Sequence, residues 1–361
     1  LFDGTRYPTG IVTPSLINPE LTWEKSTTKN LGFDFTFLQN RLTFCADIFE
    51  RKVTDILIPG GKDYPALIGD DNLPFENAGV LKTTGFELQA KWSDKLSNGF
   101  AYSVGVALSD DKAEVLSYPS NPTNKIGDGV LYKGYTVGDI WGYETGGILQ
   151  ESDFDGVGPN GKPLYHGAYF KGGQPYPGYV WYQDLDHDGV ITSGLSTVDD
   201  PGDKKVIGNN APRYRYNITA NFQYKGFDLD LMFQGVGKRD YWLKDVSSYW
   251  GGGAGSWETY NQSWTPERTD AKFPMYGSGI GSYAQSGYLL DASYIKLKQV
   301  ILGYTFPKAL IGKVGLEKLR LNIAAYNLFT LSDVPKYYDS DYLSDAYPPK
   351  RTFSVGIQVG F

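Results

Sequence analysis

The feature that most constrains this chain is a two-residue alternation of apolar and small or polar side chains, repeated in segment after segment. The C-terminal stretch RTFSVGIQVGF sets Phe353, Val355, Ile357, Val359 and Phe361 against Ser354, Gly356, Gln358 and Gly360 without a lapse. NLGFDFTF sets Leu31, Phe33, Phe35 and Phe37 against Gly32, Asp34 and Thr36. RLTFCADIF sets Leu42, Phe44, Ala46 and Ile48 against Thr43, Cys45 and Asp47. GFAYSVGVALS, RYNITANFQY and GFDLDLMFQG repeat the pattern. A period of two is the signature of strands with two unlike faces. Short connections such as LQNR (38–41) and YKGF (224–227) read as hairpins. Long polar stretches at 110–130, 150–212, 237–290 and 332–350 separate other strands.

Two architectures offer two unlike faces. A soluble sandwich buries its apolar face and turns a Lys- and Glu-rich face to water. Here the polar face is Asn, Thr, Gln, Ser, Gly and Asp, while the apolar face is large and aromatic. With short turns at one end and long loops at the other, this suits lipid outside and a wet lumen inside. The expectation is an all-β fold, a transmembrane antiparallel β-barrel with long extracellular loops. Roughly ten to twelve strands of crossing length are expected. That is enough for a small closed barrel or for about half of a 22-stranded one.

Composition narrows the function. A formal charge of −7 and a pI near 5.0 leave no basic run to meet a phosphate backbone, which argues against nucleic acid as a partner. One cysteine, Cys45, excludes an internal disulfide framework and reads as a small core residue. No run of 18 apolar residues suggests a spanning helix, which does not touch the barrel reading. The opening LFDGTRYPTG has neither the basic nor the apolar region of a signal peptide. It is expected to follow a removed leader or to belong to a longer chain.

One stretch carries metal chemistry. In QDLDHDGVIT, Asp184, Asp186 and Asp188 fall at positions 1, 3 and 5 of a calcium loop. Gly189 sits at the sharp bend of position 6. Val190 offers a carbonyl at position 7, and Ile191 would anchor the loop to a core. Position 12 is Leu195 rather than Glu, and no flanking helices are expected, so this is not an EF-hand. A closing carboxylate must come from Asp199, Asp200 or Asp203. His187, at position 4, reads as solvated.

Several segments together resemble a family. NPELTWEKSTTKNLGFDF (18–35), NAGVLKTTGFELQAKW (77–92), VIGNNAPRYRYNITANFQYKGFDLDLMFQG (206–235), YIKLKQVILGYTFPK (294–308) and LRLNIAAYNLFTLSD (319–333) resemble the late barrel strands of SusC-like (SusC/RagA) TonB-dependent outer-membrane transporters. They occur in that family's order, and the final Phe361 fits the terminal aromatic expected of chains inserted by the outer-membrane assembly machinery. The resemblance implies that 1–361 is the C-terminal portion of one β-barrel domain, about half of a 22-stranded barrel, with no plug domain present. It implies that 150–212 is one long extracellular loop carrying the calcium turn. It favours Asp203, just before VIG, as the closing ligand, giving a structural calcium on Asp184, Asp186, Asp188, Val190 and Asp203.

No nucleophile elbow, phosphate loop or zinc signature is present, and His166 and His187 are the only histidines, so no enzyme is expected. Asp110–Asp111 and Asp199–Asp200 read as turn or metal carboxylates rather than a glycosidase pair. The aromatic loops 240–264 and 335–349 are binding candidates, because ring faces stack on sugars or peptide side chains. Trp250 and Trp257, flanking the Gly-rich tip, are the expected substrate contacts. By resemblance, the whole protein imports oligosaccharides first, oligopeptides second, across the cell outer membrane. Its other expected partners are a SusD-like surface lipoprotein, TonB and outer-membrane lipid. The alternative is a passive porin or surface adhesin.

Overall fold

The computed structural model describes residues 18–60, 74–242, 260–278, 283–335, 338–343 and 349–361. Its frame is one nine-stranded antiparallel sheet in which every strand pairs with the next in sequence. The strands are β1 (Lys25–Phe37), β2 (Leu42–Pro59), β3 (Phe75–Lys95), β4 (Ala101–Ser117), β5 (Arg213–Tyr224), β6 (Phe227–Lys238), β7 (Tyr294–Thr305), β8 (Lys318–Ser332) and β9 (Thr352–Gly360). Among the described residues the sheet has nine strands, against the ten to twelve expected. Extended segments such as Val180–Tyr182 and Lys204–Asn209 are too short to cross a bilayer and pair inside an outer loop instead.

The turns explain the register. Between β5 and β6, Lys225 and Gly226 take φ of 47° and 89°, the doubly left-handed turn that matches strand twist. At Gly226 a Cβ would also lie 2.6 Å from the Thr305 carbonyl oxygen. The 38–41 turn uses three left-handed residues, Leu38, Gln39 and Asn40. All the short connections, 38–41, 96–100, 225–226 and 306–317, fall at one end. The long ones, 118–212, 239–293 and 333–351, fall at the other.

Directly opposed residues share a face, so the register sorts the side chains into rows. One row runs Phe35, Phe44, Ala90, Val106, Ile218 and Phe233 across β1 to β6. Another runs Phe222, Leu229, Leu302, Ile323 and Val355 across β5 to β9. The reverse face carries Asp34, Cys45, Gln89, Ala107, Asn217 and Gln234 in one row. Gln223, Asp228, Gly303, Asn322 and Gly356 form another. Cys45 therefore lies half-buried on the polar face, not in an apolar core, because its strand puts Phe44 and Ala46 outward.

The apolar face is open: Phe353 is 68% and Val355 80% exposed. A contiguous patch of this extent is tolerated where lipid covers it. At the short-turn end, rings gather into a belt. Phe100 packs on Tyr102, Phe222 and Tyr224 with centroids 5.9–6.2 Å apart, and Tyr304 packs on Phe227 at 4.5 Å and Phe306 at 5.0 Å. This is the aromatic girdle of a membrane interface.

The two faces predict opposite tolerances on one strand. Ile218→Arg, on the lipid face, is expected to lower the unfolding free energy of the vesicle-inserted barrel by about 2–4 kcal/mol. Asn217→Arg, its neighbour on the lumenal face, is expected to cost a small fraction of that. Denaturant titration of vesicle-inserted protein checks both, and equal losses would count against the face assignment.

Candidate functional site

The connection from β4 to β5 (118–212) is a built structure. It contains the antiparallel pairs Asp139–Tyr143 with Lys204–Asn209, Thr145–Ile148 with Val180–Tyr182, and Phe154–Val157 with Pro163–Tyr165. Its core is Tyr143, Val180, Tyr182 and Ile191, with Phe170 and Tyr288 against it. Burial pushes the Tyr143 phenol up to about 12, as neighbouring Tyr283 and Asp203 also do. A second cluster, Val115, Ile126, Tyr132 and Tyr135, seats the start of the loop on the end of β4. Tyr serves both because its ring fills a core while its hydroxyl finds a partner, as Tyr132 does with the Trp141 indole N–H at 2.9 Å.

The acidic turn hangs from this core. Val190 and Ile191 pair in parallel with Tyr169 and Phe170, and Ile191 is 1% exposed, so it anchors the turn as the sequence suggests. Asp184 accepts the backbone N–H of His187 at 2.7 Å and of Gly189 at 2.9 Å. Asp186 accepts that of Asp188 at 3.2 Å, and Asp188 that of Val190 at 2.7 Å. Gly189 needs its left-handed φ of 85°, and His187 is exposed. Carboxylate oxygens of Asp184, Asp186 and Asp188 converge within 4.8 Å of one another, a set of hard oxygen donors that suits a calcium-like cation. Desolvation raises Asp184, yet the N–H groups of Gly189 and His187 outweigh it and hold its carboxyl below the usual range. For Asp186 the N–H of Asp188 lowers the carboxyl. Desolvation and the charges of Asp188, Asp203 and Asp184 overcome that and leave it raised.

Asp203 sits at the base of the turn. It is fully buried, and its two oxygens accept the N–H of Leu185 at 2.8 Å and of Thr192 at 2.7 Å, bracing both arms. That bracing role joins residues far apart in sequence, and no local spacing announces it.

The aromatic loops divide. Trp250 and Trp257 lie outside the described residues. Trp264 is 3% exposed, donates to Gln150 at 3.0 Å and packs over Gly178, so it is a core residue of the outer loops. In the β8–β9 connection, Leu343 and Val334 form a small core with Ala292, against which Tyr338 and Tyr241 pack. Asp339 and Asp341 reach back to Lys296 on β7 at 2.8–3.1 Å. For Asp341, desolvation raises the carboxyl, but the Lys296 and Tyr294 hydrogen bonds overcome it and hold it low. The carboxylates at 110–111 are structural as well: Asp110 pairs with Arg213 and Asp111 with Arg215, joining β4 to β5 at the foot of the long loop. On the lumenal face a concavity of about 560 Å³ is lined by Cys45, Asn217, Gln234, Arg239, Tyr294 and Asp341, among others.

A meander of long strands, apolar on one face and polar on the other, with an aromatic belt at the short-turn end, defines the wall of an outer-membrane β-barrel. The chain belongs to the TonB dependent receptor-like, beta-barrel family, whose model matches residues 2–328. It is 27% identical to TonB-dependent receptor P3 of Formosa agariphila, over 99% of this chain and 36% of that relative. It is 26% identical to TonB-dependent receptor SusC of Bacteroides thetaiotaomicron, over all of this chain and 34% of that one. In fold it is similar to the RagAB peptide transporter, with a TM-score of 0.71 at 20% identity over 98% of this chain and 37% of that one. The chain thus spans about a third of the length of the relatives it matches. Its family is one of receptors and transporters, not enzymes.

Asp203→Ala takes the acceptor away from the partly buried backbone N–H groups of Leu185 and Thr192, at about 1 kcal/mol each. Limited proteolysis on intact cells is expected to show faster cleavage within 184–203, with barrel assembly unchanged. Unchanged cleavage would remove the bracing role.

Proposed function

We propose that this chain forms the late wall and outer loops of a SusC/RagA-type importer of nutrient oligomers in the outer membrane. The observation that carries this reading is the division of the nine-stranded sheet, along its membrane-crossing rows, into an apolar outer and a polar inner face, in a chain of the TonB-dependent receptor family. Among the described residues, β1 and β9 each pair on one side only. Open sheet edges are not stable in hydrocarbon, so the sheet is completed by further strands, as about half of a 22-stranded barrel would be. In this reading TonB energises transport, a SusD-like lipoprotein caps the outer loops, and Trp250 and Trp257 contact substrate.

Oligosaccharides are the first substrate class, as the resemblance to the SusC-like family implies. Oligopeptides are the second, supported by the fold likeness to RagAB, which is named as a peptide transporter. A passive porin fits less well: the outer loops are packed platforms rather than an open mouth. The proposal includes a structural calcium on Asp184, Asp186 and Asp188, with Val190 and Asp203 as its further donors. Bound there, the ion would neutralise crowded carboxylates and stiffen the turn.

Native mass spectrometry of the complex extracted in mild detergent tests the transport reading. The expected result is a longer chain with a lipoprotein and a bound glycan or peptide, which also names the substrate class. A lone chain near 40 kDa with nothing bound would overturn it. For the metal, chelator is expected to speed cleavage of loop 184–203 in the native protein. The same treatment should have no effect in the Asp186→Ala, Asp188→Ala double variant. Equal cleavage of the native protein with and without chelator would remove the calcium.

A further inference from the structure

We propose that residues 338–343 of the β8–β9 connection are a latched strap. They are held down on the lumenal wall by the buried ammonium of Lys296 and narrow the outer mouth over the concavity that contains Cys45.

The latch is built from both sides. Lys296 is 1% exposed and directs its ammonium to Asp339 Oδ1 at 3.1 Å, Asp339 Oδ2 at 3.0 Å and Asp341 Oδ2 at 2.8 Å. Asp341 also receives the Tyr294 hydroxyl and, at 3.3 Å, the Lys298 ammonium. From the end of β6, Arg239 donates to the Asp341 carbonyl at 3.3 Å and the Tyr241 hydroxyl to the Leu343 carbonyl. A bulge between Leu297 and Gln299 lets Lys298 and Gln299 both lean toward the lumen, and alternation resumes with Val300 and Leu302 on the lipid face.

This chemistry makes the strap two-state. A buried ammonium stripped of its carboxylates is unstable, so the strap cannot loosen by degrees while Lys296 stays in place. Release must hydrate Lys296, Asp339 and Asp341 together. In the latched state Asp341 and Tyr294 form one side of the concavity, and Cys45, Asn217 and Gln234 lie on strands β2, β5 and β6 behind it. Lifting the strap widens the way to that surface. The latch stands on the contacts alone, whereas its narrowing role rests on the lumenal reading of the polar face.

The test uses the full-length protein in outer-membrane vesicles, with Asp339→Asn and Asp341→Asn as variants. Both keep side-chain shape and lie outside the wall, so barrel assembly is preserved where a Lys296 variant could fail to fold. Hydrogen exchange of the 338–343 amides reads the latch. Labelling of Cys45 by a bulky maleimide, quantified on its own peptide, reads access. In the native protein the strap amides are expected to exchange slowly. Each variant should speed exchange roughly tenfold to a hundredfold, the loss of one charge-assisted bond, and should speed Cys45 labelling in parallel. Native strap amides exchanging as fast as an unstructured peptide, or no change in the variants, would overturn the latch. Faster exchange with unchanged labelling would overturn the narrowing of the mouth. Neither readout depends on transport, so failure of the import reading would leave the latch result standing.

Discussion

The structure depends on one constraint: in hydrocarbon, every backbone N–H and C=O must find its partner inside the sheet. The nine strands meet it as a simple meander, each hydrogen-bonded to its sequence neighbours. Because side chains alternate, the same ladder fixes which residues meet lipid. A slip of one residue between β5 and β6 would turn Ile218 inward and Asn217 outward, so the Lys225–Gly226 turn sets the chemistry of both faces. Where the count must change, a bulge absorbs it. The shifts beside Met232 and Leu297 return the apolar residues of β6, β7 and β8 to one face.

This dependence explains what could be read from the sequence. The period of two in Phe353–Phe361 and Leu31–Phe37 marks real wall strands, because a membrane-facing strand has one greasy side and one wet side along its whole length. The hairpins at 38–41 and 224–227 were legible for the same reason. Strand ends were not: β4 runs on to Ser117, well into a stretch whose polar sequence reads as loop. Beyond the bilayer, water or another loop can face either side of a strand, and alternation loses its meaning. Burial habit points Cys45 to a core, but it says nothing about which face a residue takes; its neighbours Phe44 and Ala46 decide that.

In the candidate site, the three alternating aspartates and Gly189 were visible because a calcium-type turn is local. Asp203 was singled out by likeness to a family, but its bracing of Leu185 and Thr192 follows from tertiary contact. The same holds for Asp339 and Asp341, whose pairing with Lys296 on β7 no local spacing announces. Trp264 reads as a stacking surface in a Trp-rich stretch and is instead packed over Gly178. An aromatic whose ring is packed inside a loop's own core, as Trp264 is, has no open face to offer a ligand.

The outer rim is where the two halves of the molecule meet, and its charges sit at the joints. Asp110 with Arg213, and Asp111 with Arg215, tie the strands on either side of the longest loop just below it. Lys296 ties the last loop to β7. The entropy of closing a loop grows only slowly with its length, so a long insertion needs little more than a firm base and a small core to hold its shape. Aromatic cores alone would slide, since apolar contacts have no direction. A bidentate guanidinium–carboxylate pair and a buried ammonium with fixed acceptors are directional, and they cannot be placed in the lipid-facing rows below. The rim is thus a level where such groups are both tolerated and useful, as the short-turn end is for Arg320 and Asp228. The shape of the mouth is set there by charge geometry, while the wall beneath it is set by the backbone ladder.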